Sequence, residues 1–358
     1  MIHVFIGTKA QYIKTAPILR EMDRRGVSYR LVDSGQHGEF SNRLRRTLGV
    51  RDPDLFVGGS RDITTISSAA LWAVSLSLLA LRRQRLRDEV FAGDVGGVCV
   101  VHGDTPTTYL SAMLAKRAGL LVAHLESGLR SRSILHPFPE ELIRLRVMRS
   151  ADVLFAPDDA ALKNLAAMRI RGAIVPTGGN TSIEALAYAL RTESVGPTGP
   201  AVLTTHRVEN LKNRDTMDHF VSLLESVASR HSTVFVVHPP TEIALERFGL
   251  MERVRLSGAD VQHLVDHADF VRMIARAPFV VSDGGSIQEE CALIGVPTLV
   301  WRKRTERPDG IKRNVVLAHF DDVIISDFLR SYDALRRPPR AFDATPSRVI
   351  VDVLEGWS

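Results

Sequence analysis

Three carboxylates stand where short apolar runs end or a helix begins. Asp104 follows Val98–Val101, Glu126 follows Leu120–His124, and Glu140 heads a helix predicted over Glu140–Ser150. Acids gathered toward one ligand suit general acid and base work, moving a proton on carbon or oxygen, above all where crowding raises one pKa. The plainer alternative makes them helix caps, Glu140 for its own helix and Asp104 for the helix after Thr105. His206 follows another apolar run and precedes Arg207. An imidazole there donates to a phosphate or shuttles a proton, unless it is structural.

A second group of residues suits an anion. Asp283-Gly284-Gly285-Ser286-Ile287-Gln288-Glu289-Glu290 leaves a strand and opens a helix. Glycines let backbone N–H groups approach the anion, and the helix N-terminus adds donors and a favourable dipole, which suits a diphosphate. The competing possibility is a tight turn capped by Ser286. Glu290 lies one helical turn beyond Ser286 and can accept from ribose hydroxyls. Lys9 and Lys14 flank the first strand–helix turn, where an ammonium meets phosphate oxygens as a point charge. Arg302, Lys303, Arg304 and Arg307 crowd the turn after the last clear strand, either as a solvated charge run or at a ligand's edge.

These residues need elements to position them. Short apolar runs alternate with amphipathic segments along the chain, the signature of a parallel α/β architecture. Strands are predicted at His3–Ile6, Tyr29–Asp33, Val98–Val101, Leu120–His124 and Val153–Ala156, then at Ala201–Thr205, Thr233–Val237, Phe279–Ser282 and Thr298–Trp301. Helices fall at Tyr12–Arg25, Thr107–Ala118 and Glu140–Ser150 in the first half. In the second they fall at Asp215–Ser229, Phe270–Ala275, Ile287–Leu293 and Pro346–Leu354. The turn-rich stretches Pro176–Thr181 and Gly196–Pro200 separate the halves. The expectation is a Rossmann-like domain over 1–177, a second over 178–342, and a terminal helix within 343–356 that packs back on the first. Open parallel sheets bind ligands outside the carboxyl ends of their strands, so two such sheets facing each other put every polar cluster on one cleft.

Composition narrows the function class. The 358 residues are 45% hydrophobic and 24% charged with a net charge of +5, which fits two globular domains and is compatible with an anionic small molecule. The basic residues are scattered and match no nucleic-acid motif. Two cysteines, Cys99 and Cys291, argue against a disulfide framework or a zinc site, and Cys99 reads as a small core hydrophobe. The N-terminus reads as a strand rather than a signal peptide. The segment Ile66–Leu81 carries four serines and falls short of the roughly 20 residues of a membrane span. It is expected as a buried or interface helix, and the protein as cytoplasmic with no membrane partner.

Taken in order, several segments resemble one family. They are Gly7-Thr8-Lys9, Ile13-Lys14-Thr15-Ala16-Pro17, Gln36-His37, Val101-His102-Gly103-Asp104-Thr105, His124-Leu125-Glu126-Ser127-Gly128-Leu129-Arg130 and His136-Pro137-Phe138-Pro139-Glu140-Glu141. They continue with Gly179-Asn180-Thr181, His206-Arg207-Val208-Glu209-Asn210, Gly284 to Glu290 and Thr305-Glu306-Arg307-Pro308. Over most of the chain this set resembles the non-hydrolysing UDP-N-acetylglucosamine 2-epimerases.

The resemblance implies a glycosyltransferase-B-like fold with the active site between the domains, no metal or other cofactor, and a homodimer. By motif match it places Asp104, Glu126, Glu140 and His206 at catalytic positions. Lys9 stands where the family usually has arginine, Lys14 matches a family lysine, and Phe270 falls where an aromatic packs near uracil. Gly284, Gly285, Ser286, Glu290 and Arg307 fall at nucleotide contacts, and Arg207 joins this substrate-binding set. The implied chemistry inverts C2 of a UDP-N-acetylhexosamine, UDP-GlcNAc to UDP-ManNAc, by elimination and re-addition of UDP. Lys9-Ala10-Gln11 departs from the family's Arg-Pro-Glu, Gly284-Gly285-Ser286 is a shifted Ser-Gly-Gly, Val208 replaces a common second arginine, and Gly38 replaces another. Three alternatives compete: a hydrolysing 2-epimerase releasing ManNAc and UDP, a UDP-sugar glycosyltransferase, and a catalytically silent UDP-sugar-binding protein.

Overall fold

The computed structural model describes residues 1–35, 39–57, 81–130, 139–191, 196–305, 309–340 and 345–357. Residues 66–80 of the expected apolar helix and the segment Gln36-His37-Gly38 lie outside them. The chain forms two compact units, Met1–Ala185 with Phe342–Ser358, and Leu186–Ala341.

In the first unit β1 (Ile2–Ile6), β2 (Tyr29–Asp33), β3 (Leu55–Phe56), β4 (Val98–His102), β5 (Leu121–Leu125), β6 (Val153–Ala156) and β7 (Ala173–Pro176) form one sheet. All pairings are parallel and the order is β3-β2-β1-β4-β5-β6-β7. β1 and β4 are buried end to end, as parallel strands are when helices cover both faces. Ile2, Val4, Ile6, Val98 and Val100 pack on one face with the helices Lys9–Arg25 and Pro346–Leu354. Phe5, Cys99 and Val101 pack on the other with Pro106–Ala118 and Glu140–Ser150. Burial pushes the Cys99 thiol up to about 12, so it stays protonated and apolar in character.

Local sequence sets where the helices begin. Thr8 and Gln11 form a capping box at Lys9–Arg25, which Gly26 closes with φ 69. Thr105 and Thr108 form another at Pro106–Ala118. The capping oxygen before Pro106 therefore belongs to Thr105, which leaves the Asp104 side chain for other work.

The second unit repeats the plan with β8 (Ala201–Thr204), β9 (Thr233–Val237), β10 (Asp260–His263), β11 (Val280–Ser282), β12 (Thr298–Val300) and β13 (Val315–Leu317). Their order is β10-β9-β8-β11-β12-β13, again all parallel. Leu203, Phe235, Phe279, Val281 and Trp301 build its core against the helices Arg214–Ala228 and Asp322–Ser331. The division of the chain at Ala185 and Leu186 falls later than the expected 177/178. Helix Ser182–Leu190 starts on the first unit, where Glu184 accepts from the N–H (2.9 Å) and Oγ (2.6 Å) of Ser347. The second break is at Ala341 and Phe342, beside the expected 342/343. Among the described residues no helix is long and apolar enough to cross a membrane.

Each sheet reverses its strand order once, between β1 and β4 and between β8 and β11. At such a point the connections leave to opposite sides and open a crevice at the strand carboxyl ends.

Candidate active site

One side chain clasps the switch point of the first unit. Gln11, 2% exposed, accepts at Oε1 from the N–H groups of Gly7 (2.8 Å) and Thr8 (3.1 Å). Its Nε2 donates to the carbonyl of His102 (2.8 Å) and to the hydroxyls of Thr105 and Thr108 (both 3.0 Å). One amide thus joins the ends of β1 and β4 and fixes the turn that carries Asp104. Glycine is required at position 7, because a Cβ there would lie 2.3 Å from Ser34 Oγ.

Glu126 leaves β5 with φ 60, a left-handed backbone that costs a residue with a Cβ about 1–2 kcal/mol. Its Oε1 accepts from Lys14 Nζ and Asn180 Nδ2, both at 2.6 Å. Oε2 lies 3.8 Å from His102 Nδ1. Both close donors favour the carboxylate form. Burial pushes His102 down to about 4, against the pull of Glu126 and with the help of Lys14 and His124, so at pH 7 it is neutral. Burial lowers His124 as well. The Gly103 carbonyl can only accept, so Nε2 of His124 donates to it at 2.8 Å, and Nδ1 accepts from Ser127 Oγ at 2.6 Å.

Asp104 pairs with Arg144. Arg144 and Arg130 both engage Glu141, which is fully buried. Glu140 opens the same helix, and its Oε2 is buried with no hydrogen-bond partner among the described residues. The N-cap is Pro139, which makes no side-chain bond, so Glu140 does not cap its helix. Arg144 lies one turn beyond Glu140, and the helix that presents Glu140 therefore also holds Asp104. A Cβ on Gly103 would stand 3.8 Å from Glu126 Oε2, so the residue just before Asp104 borders that carboxylate. Lys14, expected against phosphate oxygens, has its ammonium on Glu126. Lys9 is the half-buried first residue of its helix.

In the second unit Asp283 plays the part of Gln11. Fully buried, it accepts from Thr205 Oγ1 (2.6 Å), the N–H groups of His206 and Arg207 (both 3.0 Å) and Asn210 Nδ2 (2.8 Å). These bonds tie the end of β8 to the end of β11. The His206 ring stacks on His238 at 4.6 Å and 23°, with Nδ1 3.3 Å from Asp283 Oδ1. Arg207 Nε donates to the Asp283 carbonyl at 3.1 Å. A Cβ on Gly284 would lie 2.9 Å from His206 Cε1, so glycine lets the ring approach.

Gly284 is the N-cap of helix Gly285–Ile294 and makes no side-chain cap bond. Ser286, exposed in the first turn, is not the cap. A first turn without a side-chain cap is the arrangement that receives an anion on its N–H groups. Glu290, one turn on, accepts from His267 Nε2 at 2.7 Å. His267 and the half-buried Phe270 are three apart on helix His267–Arg276 and share a face. Arg307 lies outside the described residues. Among the described residues, no group of three or more His, Cys, Asp or Glu is placed to hold a metal ion.

Sequence reasoning picked out the acids and gave no holding role to Gln11, Asn180, Arg144, Asp283 or His267, which fix the turns and side chains of the two units. Signals existed for some. Asn180 stands within Gly179-Asn180-Thr181, Arg144 follows Glu140 by one helical turn, and His267 precedes Phe270 by three residues.

The family described as UDP-N-acetylglucosamine 2-epimerase matches residues 20–333. The UDP-N-acetylglucosamine 2-epimerase of Bacillus subtilis (strain 168) is 30% identical over 324 residues, 86% of this chain and 80% of that protein. The UDP-N-acetylglucosamine 2-epimerase of Methanococcus maripaludis is 25% identical over 99% of this chain and 98% of its own. Among solved structures, UDP-GlcNAc 2-epimerase from Neisseria meningitidis bound to UDP-GlcNAc superposes with a TM-score of 0.81 at 21% identity, over 99% of each chain. The Methanocaldococcus jannaschii UDP-GlcNAc 2-epimerase in complex with UDP-GlcNAc and UDP gives 0.78 at 22% identity, over 98% of this chain and 99% of that one. The structures show the shared two-domain α/β fold, and with the sequence match over most of its length the chain belongs to the UDP-N-acetylglucosamine 2-epimerase family.

Proposed function

We propose that this chain is a non-hydrolysing epimerase that inverts C2 of a UDP-N-acetylhexosamine, converting UDP-GlcNAc to UDP-ManNAc. The observation that carries this reading is the Glu126 carboxylate, bonded to Lys14 and Asn180 beside a neutral His102. That cluster is an acid–base site rather than a site for binding an anion. The second unit supplies complementary chemistry, with an uncapped helix start at Gly284-Gly285-Ser286, the His206–Arg207 turn, and Glu290 for ribose hydroxyls.

In the proposed reaction a carboxylate base removes the C2 proton. The C–H electron pair becomes the C1=C2 bond, and the C1–O pair leaves with the β-phosphate of UDP, giving a 2-acetamidoglucal. UDP then re-adds at C1 while C2 takes a proton on the opposite face. Asp104, Glu126 and Glu140 are the acid–base candidates. His206 and Arg207 steady the departing diphosphate, and Lys9, Gly284, Gly285, Ser286, Phe270, Glu290 and Arg307 complete the nucleotide contacts. Holding UDP through the glycal stage separates this reaction from hydrolysis.

Proton NMR with UDP-GlcNAc in D2O tests the reading. The manno epimer with deuterium at C2 is expected. Free N-acetylmannosamine would establish the hydrolysing reaction instead, and unchanged sugar with UDP still bound would leave a binding protein.

A further inference from the structure

We propose that Asn180 is a positioning residue for the proton transfer, holding Glu126 by Oε1 and so fixing the direction of its carboxylate. The inference rests on the reading of Glu126 as an acid–base group. Asn180 belongs to no sheet strand near Glu126. It reaches the end of β5 from the loop after β7, two strands away in the sheet, and its Nδ2 donates to Glu126 Oε1 at 2.6 Å.

The direction of the amide is fixed by its other end. Asn180 Oδ1 accepts from the Ser182 N–H at 3.0 Å, so the NH2 group is the one turned to Glu126. The loop beneath is pinned as well. Thr177 Oγ1 lies within hydrogen-bonding reach of the carbonyls of Gly179 (2.8 Å) and Ala156 (3.1 Å). The helix that follows is anchored by Glu184 on Ser347. A cavity of only about 10 Å3, lined by His102, Glu126, Asn180, Thr181 and Ile350 among others, leaves Glu126 little space to turn into. Lys14 is the second donor on the same oxygen, but its long stem sets direction poorly compared with a short amide held at both ends. Among the described residues, the titratable groups facing Glu126 include Lys14 from the first helix, His102 from β4 and His124 from β5.

The test compares wild type with Asn180→Asp, Asn180→Ser and Asn180→Ala. Asp and Ser keep an acceptor for the Ser182 N–H, so they preserve the helix start; ionised Asp has no donor for Glu126, and the Ser hydroxyl is one bond short of the Asn amide that reaches it. Two readouts are needed: the Glu126 carboxyl titration by 13C NMR, assigned by its absence from Glu126→Gln, and pH profiles of kcat and KM for UDP-GlcNAc. Loss of one charge-assisted bond in the Ser and Ala variants should raise the Glu126 titration and the acidic limb of kcat by about one pH unit, and kcat at pH 7 should fall about tenfold. Asn180→Asp, which adds a like charge, should shift both further and lower kcat about a hundredfold. UDP affinity and KM should stay within about threefold throughout, because neither depends on the orientation of Glu126. A Glu126 titration and kcat that remain at wild-type values in Asn180→Asp, with UDP affinity intact, overturn the inference. Wild-type protein that fails to epimerise overturns the functional reading, while the Glu126 titration still decides whether Asn180 governs that carboxyl.

Discussion

Gln11 donates from Nε2 to the carbonyl oxygen of His102 at 2.8 Å, across the point where the first sheet reverses its strand order. The other end of the same amide gathers the N–H groups of Gly7 and Thr8. A carboxylate could keep the second set of bonds and not the first, since it would set an acceptor against the His102 carbonyl. Gln11→Glu is therefore expected to destabilise the first unit by about 3 kcal/mol at neutral pH, the cost of a buried charge facing an unpaired carbonyl. Urea unfolding followed by hydrogen exchange in β1 and β4 checks this, and an unchanged midpoint would remove the clasp from the account of the fold.

Asp104 is held by Arg144, which is itself held by the buried Glu141. Asp104→Asn keeps the size of the side chain and removes its capacity to take or give up a proton at neutral pH. We expect kcat to fall about a thousandfold, within the range that general acid–base groups contribute. UDP affinity by calorimetry should change by no more than about twofold, since the nucleotide contacts proposed here lie mainly on the second unit. Loss of UDP binding in a folded variant would reverse that division of labour.

Lys14 separates two accounts of the same residue. Its ammonium is 2.6 Å from Glu126, whereas the sequence placed it against phosphate. If the carboxylate is its main partner, Lys14→Met should lower kcat about a hundredfold and weaken UDP by less than about threefold. A tenfold loss of UDP affinity with a smaller change in kcat would return Lys14 to the phosphate.

The sequence carried most of the architecture because the central strands are buried on both faces. Tyr29–Asp33, Val153–Ala156 and Thr233–Val237 read directly as apolar runs and have those bounds in the structure. The strands not anticipated from the sequence are β3, β7, β10 and β13, and each is the outer strand of its sheet. They are two to four residues long and partly exposed, so the apolar runs of β3, β7 and β13 are too brief to stand out and β10 mixes polar with apolar residues; short edges of this kind resist pairing with other chains. The site divides in a similar way. Acids at strand ends are visible because position relative to an apolar run suggests a role. The bonds that hold the site are not, because Asn180 reaches Glu126 across two strands and Asp283 meets Thr205 from far along the chain, relations that only the folded topology creates.

Glu290 accepts from His267 at 2.7 Å, and both side chains are largely buried. The proposed ribose contact therefore has a residue that orients it. Glu290→Ala should weaken UDP by about tenfold or more, the loss of hydrogen bonds between a carboxylate and sugar hydroxyls. His267→Ala should weaken it about threefold to fivefold by freeing the carboxylate to turn, with kcat at saturating substrate nearly unchanged. Calorimetry with UDP reads both. Equal affinity in Glu290→Ala and wild type would take the ribose away from Glu290.

The acid sensitivity of the first unit follows from its buried imidazoles. His102 is pushed down to about 4 from its ordinary 6.5, with burial the largest cause. Between those values the unfolded chain binds the proton and the folded chain does not, so stability rises with pH across this window. The contribution is complete above about 6.5 and is lost as pH falls toward about 4, at a cost of about 3 kcal/mol for this one group. Burial also lowers His3 and His124, which adds to the slope with the same sign. Glu21 acts lower down: Arg24 first, and Arg25 with it, hold its carboxyl down to about 2, so its contribution persists above about 4.5 and disappears only as pH falls from there. Hydrogen exchange of the β4 and β5 amides at pH 7 and pH 4.5 isolates the histidine window. Exchange should be markedly faster at the lower pH after correction for the intrinsic rate, and His102→Asn, which cannot take up the proton, should lose a large part of that difference. A variant that keeps the full wild-type dependence would show that His102 does not control the acid stability of this unit.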